Sequence, residues 1–149
     1  MEELRIRPIE NGTVIDHIRG GQALNVLKIL GVDQETEETV SVAMNVMSSK
    51  LGKKDIVKVE GREIRSTEAD IIALIAPDAT VNVVREFDVQ EKHEVKMPDE
   101  ISRVIRCPNR NCITNTDEPV DTRFDVSDSG LRCMYCEDVI RGDIPEYLV

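Results

Sequence analysis

The sequence predicts an α+β protein in two parts, a ferredoxin-like α/β sandwich followed by a small β-rich domain. Strand and helix patterns in the first part follow the order β-α-β-β-α-β with one extra strand, which is the order of a split βαβ sandwich. All four cysteines of the 149-residue chain come after residue 100, in a turn-rich segment. The chain has no Trp and only two Tyr and two Phe, so its core must be aliphatic.

Six segments of the first part have the patterns of strands, because apolar residues alternate along them or form short runs. They are Leu4–Ile9, Thr13–Ile18, Val40–Met47, Asp55–Val59, Thr80–Arg85 and Phe87–Val89. Two further segments have apolar residues at helical spacing. The first holds Ala23, Val26, Leu27 and Leu30 and should stop at Gly31. The second holds Ala69, Ile72, Ala73 and Ala76, with Ser66 or Thr67 as its cap and Pro77 as its end.

The segment Glu94–Glu100 is polar, contains one Pro and shows no periodicity. Such a stretch is typical of a connection between domains. We therefore predict an N-terminal domain of residues 1–97 and a C-terminal domain of residues 98–149.

The charge balance restricts the partners of the chain. It carries 19 Lys and Arg against 29 Asp and Glu, a net charge of -10. A surface of this sign repels a nucleic-acid backbone. No run of about 18 apolar residues and no basic-then-apolar N-terminus occurs, so we expect neither a membrane span nor a signal peptide. We expect a cytoplasmic protein, in a compartment where disulfides are rare.

The cysteines form a C-x4-C pair, Cys107 and Cys112, and a C-x2-C pair, Cys133 and Cys136. Each short spacing lets one turn direct two thiolates at a common point, and two such turns make a tetrahedral S4 site that suits zinc. Because no ligand position stays open, one structural zinc ion in a zinc-ribbon-like domain is expected. Two disulfides and a thioredoxin-like redox motif are the weaker alternatives.

A search of the N-terminal part for catalytic groups is mostly negative. Asp16 and His17 are neighbours on a predicted strand, where their side chains should point to opposite faces. Neither a P-loop nor a dinucleotide-binding glycine motif is present. A group of lysines, Lys53, Lys54, Lys58 and Lys92, could hold a polyphosphate or simply be solvated.

Five short motifs, in order along the chain, resemble the regulatory chain of aspartate carbamoyltransferase. They are Gly12–Ile18, Gly52–Glu60, Ala76–Asn82, Cys107–Ile113 and Cys133–Glu137. The resemblance covers nearly the whole chain and implies a non-catalytic subunit that controls pyrimidine biosynthesis. Its N-terminal domain would bind the allosteric nucleotides CTP and ATP, with UTP assisting in some members. Its zinc domain would contact the catalytic chain, and self-dimers of the chain would bridge two catalytic trimers, three dimers to each dodecamer.

The resemblance also implies roles for residues of the nucleotide site. Ile9 would offer backbone groups to the base, Asp16 would approach the ribose hydroxyls, and Lys58 would contact ribose and phosphate. Asn82 and Lys92 would hold the triphosphate, while Val84, Phe87 and Val89 would line the pocket. His17 would face the phosphates of a second nucleotide or be a partly buried strand histidine. Relatives of the enterobacterial type differ at Arg7, Pro8 and Phe87, which leaves the nucleotide preference open.

Two other functions are compatible with a small protein of this type. A zinc-ribbon nucleic-acid binder would need a basic face with exposed aromatic residues, but residues 101–149 hold six Arg, no Lys and nine Asp or Glu. A small metabolic enzyme of ferredoxin-like fold would need an acid, base or nucleophile in a cleft. The sequence offers no convincing candidate for such a group.

Overall fold

The computed structural model describes residues 9–116, 120–142 and 144–148. The chain divides into two compact units, with the boundary between Lys96 and Met97. Of the predicted strand Leu4–Ile9, only Ile9 belongs to the described residues, and its side chain is buried. Among the described residues, no helix has the length and apolar content needed to cross a membrane.

The N-terminal unit is a five-stranded antiparallel sheet with two helices. Its elements are β1 Gly12–Arg19, α1 Ala23–Ile29, β2 Val40–Ser48, β3 Gly52–Glu60, α2 Ser66–Ile75, β4 Thr80–Arg85 and β5 Asp88–Glu94. The strand order is β2-β3-β1-β4-β5, in which β5 is the extra strand of the predicted ferredoxin-like sandwich. The α+β class is confirmed.

Several element boundaries differ from the prediction: β3 begins at Gly52 instead of Asp55, and the largest differences concern β5 and α2. β5 continues to Glu94 instead of ending at Val89. The prediction stopped too early because all seven side chains of β5 are exposed, so no apolar alternation marks the strand. The residue before α2 is Arg65, so neither Ser66 nor Thr67 is the cap. The backbone N–H of Arg65 donates to the carboxylate of Glu68 at 2.9 Å, and that carboxylate also pairs with Arg62. The side chain of Glu68 at the third helical position therefore satisfies the N–H of the residue that precedes the helix, as in one half of a capping box.

One face of the sheet is buried and the other is open. Along β3, Asp55, Val57 and Val59 are buried, whereas the residues between them are only half-buried. Both helices contribute to the core on the buried side, α1 through Ala23 and Val26 and α2 mainly through Ile72 to Ile75. The alternation along β3 thus separates a hydrophobic face from a face that is accessible to ligands.

A fully buried carboxylate, that of Asp55, joins two irregular segments and lies beside a third. One of its oxygens accepts the backbone N–H groups of Gly21 and Ala23, both at 2.9 Å, where α1 begins. Its other oxygen accepts the N–H of Asn45 at 2.9 Å, where β2 has a bulge. Asp55 also lies opposite Ile18, just after the bulge in β1.

The bulge in β1 explains its burial pattern. His17 has a φ of 57°, and the register with β3 shifts between Ile15 and Ile18. Both isoleucines are completely buried although three positions separate them. A regular strand would turn one of them outward, because side chains alternate with a period of two.

The C-terminal unit is a four-stranded antiparallel sheet in the order β6-β7-β8-β9. Its strands are β6 Glu100–Ser102, β7 Arg123–Ser127, β8 Gly130–Cys133 and β9 Val139–Ile140, with 3₁₀ turns at Ile113–Asn115 and Ile144–Tyr147. Phe124, Leu131 and Ile105 form the centre of a small core. Gly130 is required where β8 begins, since a Cβ there would lie only 2.3 Å from the backbone oxygen of Ile140.

We expect Asp55→Asn to lower the free energy of unfolding of the N-terminal unit by about 3 kcal/mol, because an amide cannot accept all three backbone N–H groups. A urea titration followed by amide NMR resonances of β1 and β3 measures this change. Asp88→Asn, which alters an exposed carboxyl on β5, is the control and should change stability by less than about 0.5 kcal/mol. Equal stabilities of the two variants would show that Asp55 is not a structural anchor.

Candidate functional site

The C-terminal unit brings its four cysteines together. Cys107 and Cys112 flank the loop before the first 3₁₀ turn, Cys133 ends β8, and Cys136 lies in the turn that follows. The four Sγ atoms all lie within 4.8 Å of one another. The Sγ atoms of Cys107 and Cys136 are 3.5 Å apart, and those of Cys112 and Cys133 are 3.7 Å apart. Three of the four side chains are buried.

These distances fit a tetrahedral metal better than disulfides. Four thiolates at about 2.3 Å from a zinc ion lie about 3.8 Å from one another, whereas bonded sulfurs are about 2.05 Å apart. All four thiols are free. Four sulfur ligands leave no position for water or substrate, so the group can hold a structural ion but not a catalytic one.

The loop from Cys107 to Cys112 is held by residues that sequence reasoning missed. The side-chain amide of Asn115 donates to the backbone oxygens of Cys107, at 3.0 Å, and Asn109, at 2.7 Å. The hydroxyl of Thr114 donates to the Sγ of Cys112 at 3.2 Å. A Thr and an Asn two and three residues after the second cysteine are a signal that can be read for such support.

The environment gives the thiols different proton affinities. Burial raises the pKa of Cys107 and also that of Cys133. Burial opposes ionisation of Cys112 as well, but hydrogen bonds from the Thr114 side chain and backbone outweigh it, and the pKa of Cys112 falls to about 7. A metal ion must therefore displace protons from Cys107 and Cys133 when it binds at neutral pH.

The open face of the N-terminal sheet carries several of the predicted nucleotide-site residues. Lys58 on β3 pairs with Val14 on β1, Val14 pairs with Asn82 on β4, and Asn82 pairs with Lys92 on β5. Residues opposite one another across strands project from the same face. At about 4.8 Å per strand, this row is about 14 Å long. The amide of Asn82 donates to the oxygen of Val14 at 3.2 Å. Hereafter we use the name basic row for Lys58, Val14, Asn82 and Lys92.

Lys58 is a partly buried member of the basic row. Burial lowers its pKa, and the charge of Glu60 raises it by a smaller amount. A lysine that is short of solvent gains from an anion placed beside it, since the anion restores stabilisation of the charged form.

Asp16 and His17 engage separate partners beside the basic row. The carboxylate of Asp16 pairs with the ammonium of Lys54 at 2.9 Å and accepts the N–H of His17 at 2.6 Å. The ring Nδ1 of His17 lies 3.2 Å from the hydroxyl of Thr80. The strand is bulged here, so the regular alternation assumed for this pair was wrong, although the two side chains still form no dyad.

The predicted apolar contacts divide by exposure. Ile9 and Val84 are almost completely buried, whereas Phe87 and Val89 are 63% and 57% exposed. Glu86 and Phe87 both have positive φ angles, as the two central residues of a type I′ hairpin turn do. The N–H of Phe87 donates to the oxygen of Glu10 at 2.9 Å. The turn between β4 and β5 therefore lies against the segment that follows Ile9.

Comparison with known proteins finds the same family over both units. The family model for the aspartate carbamoyltransferase regulatory chain, allosteric domain, matches residues 4–96, and that for the metal binding domain of the same chain matches residues 99–146. Relatives named aspartate carbamoyltransferase regulatory chain occur in several archaea. The relative from Haloarcula marismortui is 55% identical over 148 residues, covering 99% of this chain and 96% of its own length. The relative from Methanothrix thermoacetophila is 57% identical over 150 residues, with 99% and 97% covered.

We expect removal of the metal to unfold the C-terminal unit and to leave the N-terminal unit folded, since all four ligands belong to one unit. Structural zinc contributes about 10 kcal/mol or more to the folding of small domains. After treatment with a mercurial, amide NMR resonances of residues 97–149 should lose dispersion. Unchanged dispersion there would contradict a structural role of the metal.

Metal affinity should also fall as the pH is lowered. Protons compete with the ion for the thiols of Cys107 and Cys133, whose pKa values burial raises, so affinity drops by about ten-fold or more per pH unit. A competition titration with a chelator between pH 8 and pH 6 measures the slope, and a pH-independent affinity would show that these thiols are not ligands.

Proposed function

This chain belongs to the family of aspartate carbamoyltransferase regulatory chains, and from this premise we propose that its N-terminal unit binds CTP and ATP while its C-terminal unit docks on the catalytic chains. It has the allosteric domain and the metal-binding domain of the family. Regulatory chains are the non-catalytic subunits of this enzyme. Because such a chain catalyses no reaction, any control that it exerts over pyrimidine biosynthesis must come from what its two units bind.

The basic row is the single observation that favours a nucleotide site on the open sheet face. In a chain of net charge -10, two lysines and an amide in one line across four strands form a local positive feature. Phosphates attract such groups through charge-assisted hydrogen bonds. We propose that Asn82 and Lys92 bind the triphosphate and that Lys58 reaches both ribose and phosphate.

The remaining groups suit the base and the sugar. We propose that Asp16 accepts hydrogen bonds from the ribose hydroxyls, with Lys54 holding its carboxylate in place. Backbone groups of Ile9 would recognise the base, and Val84, Phe87 and Val89 would line the pocket beside it. His17 would contact phosphates of a second nucleotide, such as UTP, from its position in the bulge.

The proposed ion of the metal-binding domain is zinc. Thiolate ligands select soft or borderline ions, and four of them in tetrahedral arrangement favour zinc or iron. The four Sγ atoms within 4.8 Å of one another fit this arrangement. One ion per chain would then fold the domain that contacts the catalytic chain.

A dimer of the chain is proposed to form through β2, which is one edge of the N-terminal sheet among the described residues. Its nine residues carry no charge and no Pro, and Val42, Met44 and Met47 are exposed. The opposite edge, β5, carries four charged residues, which are the usual means of discouraging strand pairing. Three such dimers would join two catalytic trimers in a dodecamer.

Nucleic-acid binding, the alternative function, is not favoured. The C-terminal unit carries more acidic than basic residues, and three of its arginines already pair with carboxylates. A thiolate metal centre adds further negative charge. These features weaken attraction to a phosphate backbone.

We expect Lys58→Ala and Lys92→Ala each to weaken CTP and ATP binding by about ten-fold or more, the usual loss for one charge-assisted hydrogen bond. Isothermal titration calorimetry on the whole chain measures the affinity. Lys50→Ala removes an exposed lysine in the turn between β2 and β3 and should bind like the parent. If the first two variants also bind like the parent, the nucleotide site is not on the basic row.

The two units should separate nucleotide binding from docking. A fragment ending at Lys96 should sediment as a dimer and bind CTP, but neither bind catalytic trimers nor change their activity. A zinc-loaded fragment from Met97 to Val149 should bind catalytic trimers. It should ignore nucleotides, because it lacks the proposed nucleotide-site residues and an effector acts only through differential affinity for two states of the assembly. Aspartate saturation curves with each fragment, with and without CTP, test the separation. A nucleotide response with the second fragment alone would contradict it.

A further inference from the structure

We propose that the C-terminal unit contains a carboxylate-binding cavity that receives an acidic side chain of the catalytic chain. The cavity has a volume of about 500 Å³ and is lined by Arg106, Cys107, Pro108, Arg110, Asn115 and Tyr147. The identity of the partner rests on the proposed function, in which the C-terminal unit docks on the catalytic chain. The two arginines of the cavity belong neither to the metal-ligand set nor to the basic row.

The two arginines of the cavity differ from most others in the unit. Arg103, Arg123 and Arg132 pair with carboxylates at 2.9, 2.8 and 3.1 Å. Three other arginines of the unit pair with no carboxylate of the described residues, and two of these three, Arg106 and Arg110, line the same cavity. The cavity therefore offers positive charge that the described residues do not neutralise, within a chain of net charge -10.

The wall of the cavity is held in place before any partner binds. The N–H of Arg106 donates to the oxygen of Tyr147 at 2.7 Å, and Ile105 forms a β-bridge with Leu148. The guanidinium of Arg106 lies 5.9 Å from the centre of the Tyr147 ring and donates to the oxygen of Glu146 at 3.4 Å. These contacts fix one guanidinium with most of its five N–H groups still available. Asn115, which braces the cysteine loop, forms another part of the wall.

The chemistry of the lining favours a carboxylate. A guanidinium binds a planar carboxylate with two parallel hydrogen bonds. Both arginines are exposed, so a side chain from outside can reach them. The interaction strengthens when docking excludes water from the cavity.

The surroundings favour a protein as the source of that carboxylate. Ile113, Met134 and Tyr135 lie within or directly beside the two cysteine pairs and are 49%, 41% and 42% exposed. Arginine, tyrosine and methionine are enriched at protein interfaces, and apolar residues around a polar anchor exclude water. A free anion would gain nothing from these side chains.

The test compares docking of Arg106→Gln and Arg110→Gln with docking of Arg103→Gln and Arg132→Gln, which remove the same charge outside the cavity. Isothermal titration calorimetry of each zinc-loaded full chain against the catalytic chain of the same organism gives the affinity. The cavity variants should bind about ten-fold or more weakly, and the controls should stay within about three-fold of the parent. Amide NMR spectra and zinc content establish that each variant is folded.

Three outcomes would overturn the proposal. If the parent chain binds but the cavity variants bind equally well, the cavity is not part of the interface, although the proposed function stands. If the cavity variants lose metal affinity without losing docking, the arginines only offset the charge of the thiolates. If inorganic phosphate alone shifts the resonances of Arg106 and Arg110 at micromolar concentration without competing with the catalytic chain, the cavity binds free anions. A parent chain that does not bind the catalytic chain at all would instead refute the proposed function.

Discussion

One fully buried carboxylate, that of Asp55, holds together segments of the N-terminal unit that lie far apart in the sequence. Asp55 accepts backbone N–H groups from the start of α1 and from the bulge of β2, and it lies opposite the residue that follows the bulge of β1. Charge-assisted bonds of this kind stabilise a fold only when the buried charge is fully satisfied. Because the donors lie at the start of α1 and in the bulge of β2, the carboxylate holds these two irregular segments in place. The β1 bulge in turn presents Asp16 and His17 beside the basic row.

The two units obtain their stability by different means. The N-terminal unit buries an aliphatic core between one sheet face and two helices. The C-terminal unit has roughly 50 residues and short strands, which is too little apolar surface for a chain to fold reliably without a cross-link or a metal. Four cysteines brought within 4.8 Å of one another supply the ligands for such a metal. The hydrogen bonds of Thr114 and Asn115 then determine the shape of the loop that carries two of them.

The sequence predicted the elements that have strong periodicity and failed where tertiary contacts decide. The alternation in β2, β3 and β4 and the spacing in α1 located those elements within a few residues. The extension of β5 to Glu94 was missed because an exposed edge strand needs no apolar pattern. The bulge at Asp16 and His17 was missed because an irregularity of one register position leaves no mark in the local apolar pattern. The cavity at Arg106 and Arg110 was missed for a similar reason, since the C-terminal 3₁₀ turn forms part of it.

The uncharged edge of β2 also affects how the protein must be made. Among the described residues β2 is an edge strand of nine residues without charge or Pro, and such an edge can pair with any extended segment that it encounters. The same backbone groups that suit a second copy of the chain are thus open to misassembly whenever a chain is alone. A chain that meets no second copy therefore keeps an aggregation-prone edge. The proposed dimer would cover this edge, so pairing between copies of the chain protects the sheet whatever the supply of catalytic chains.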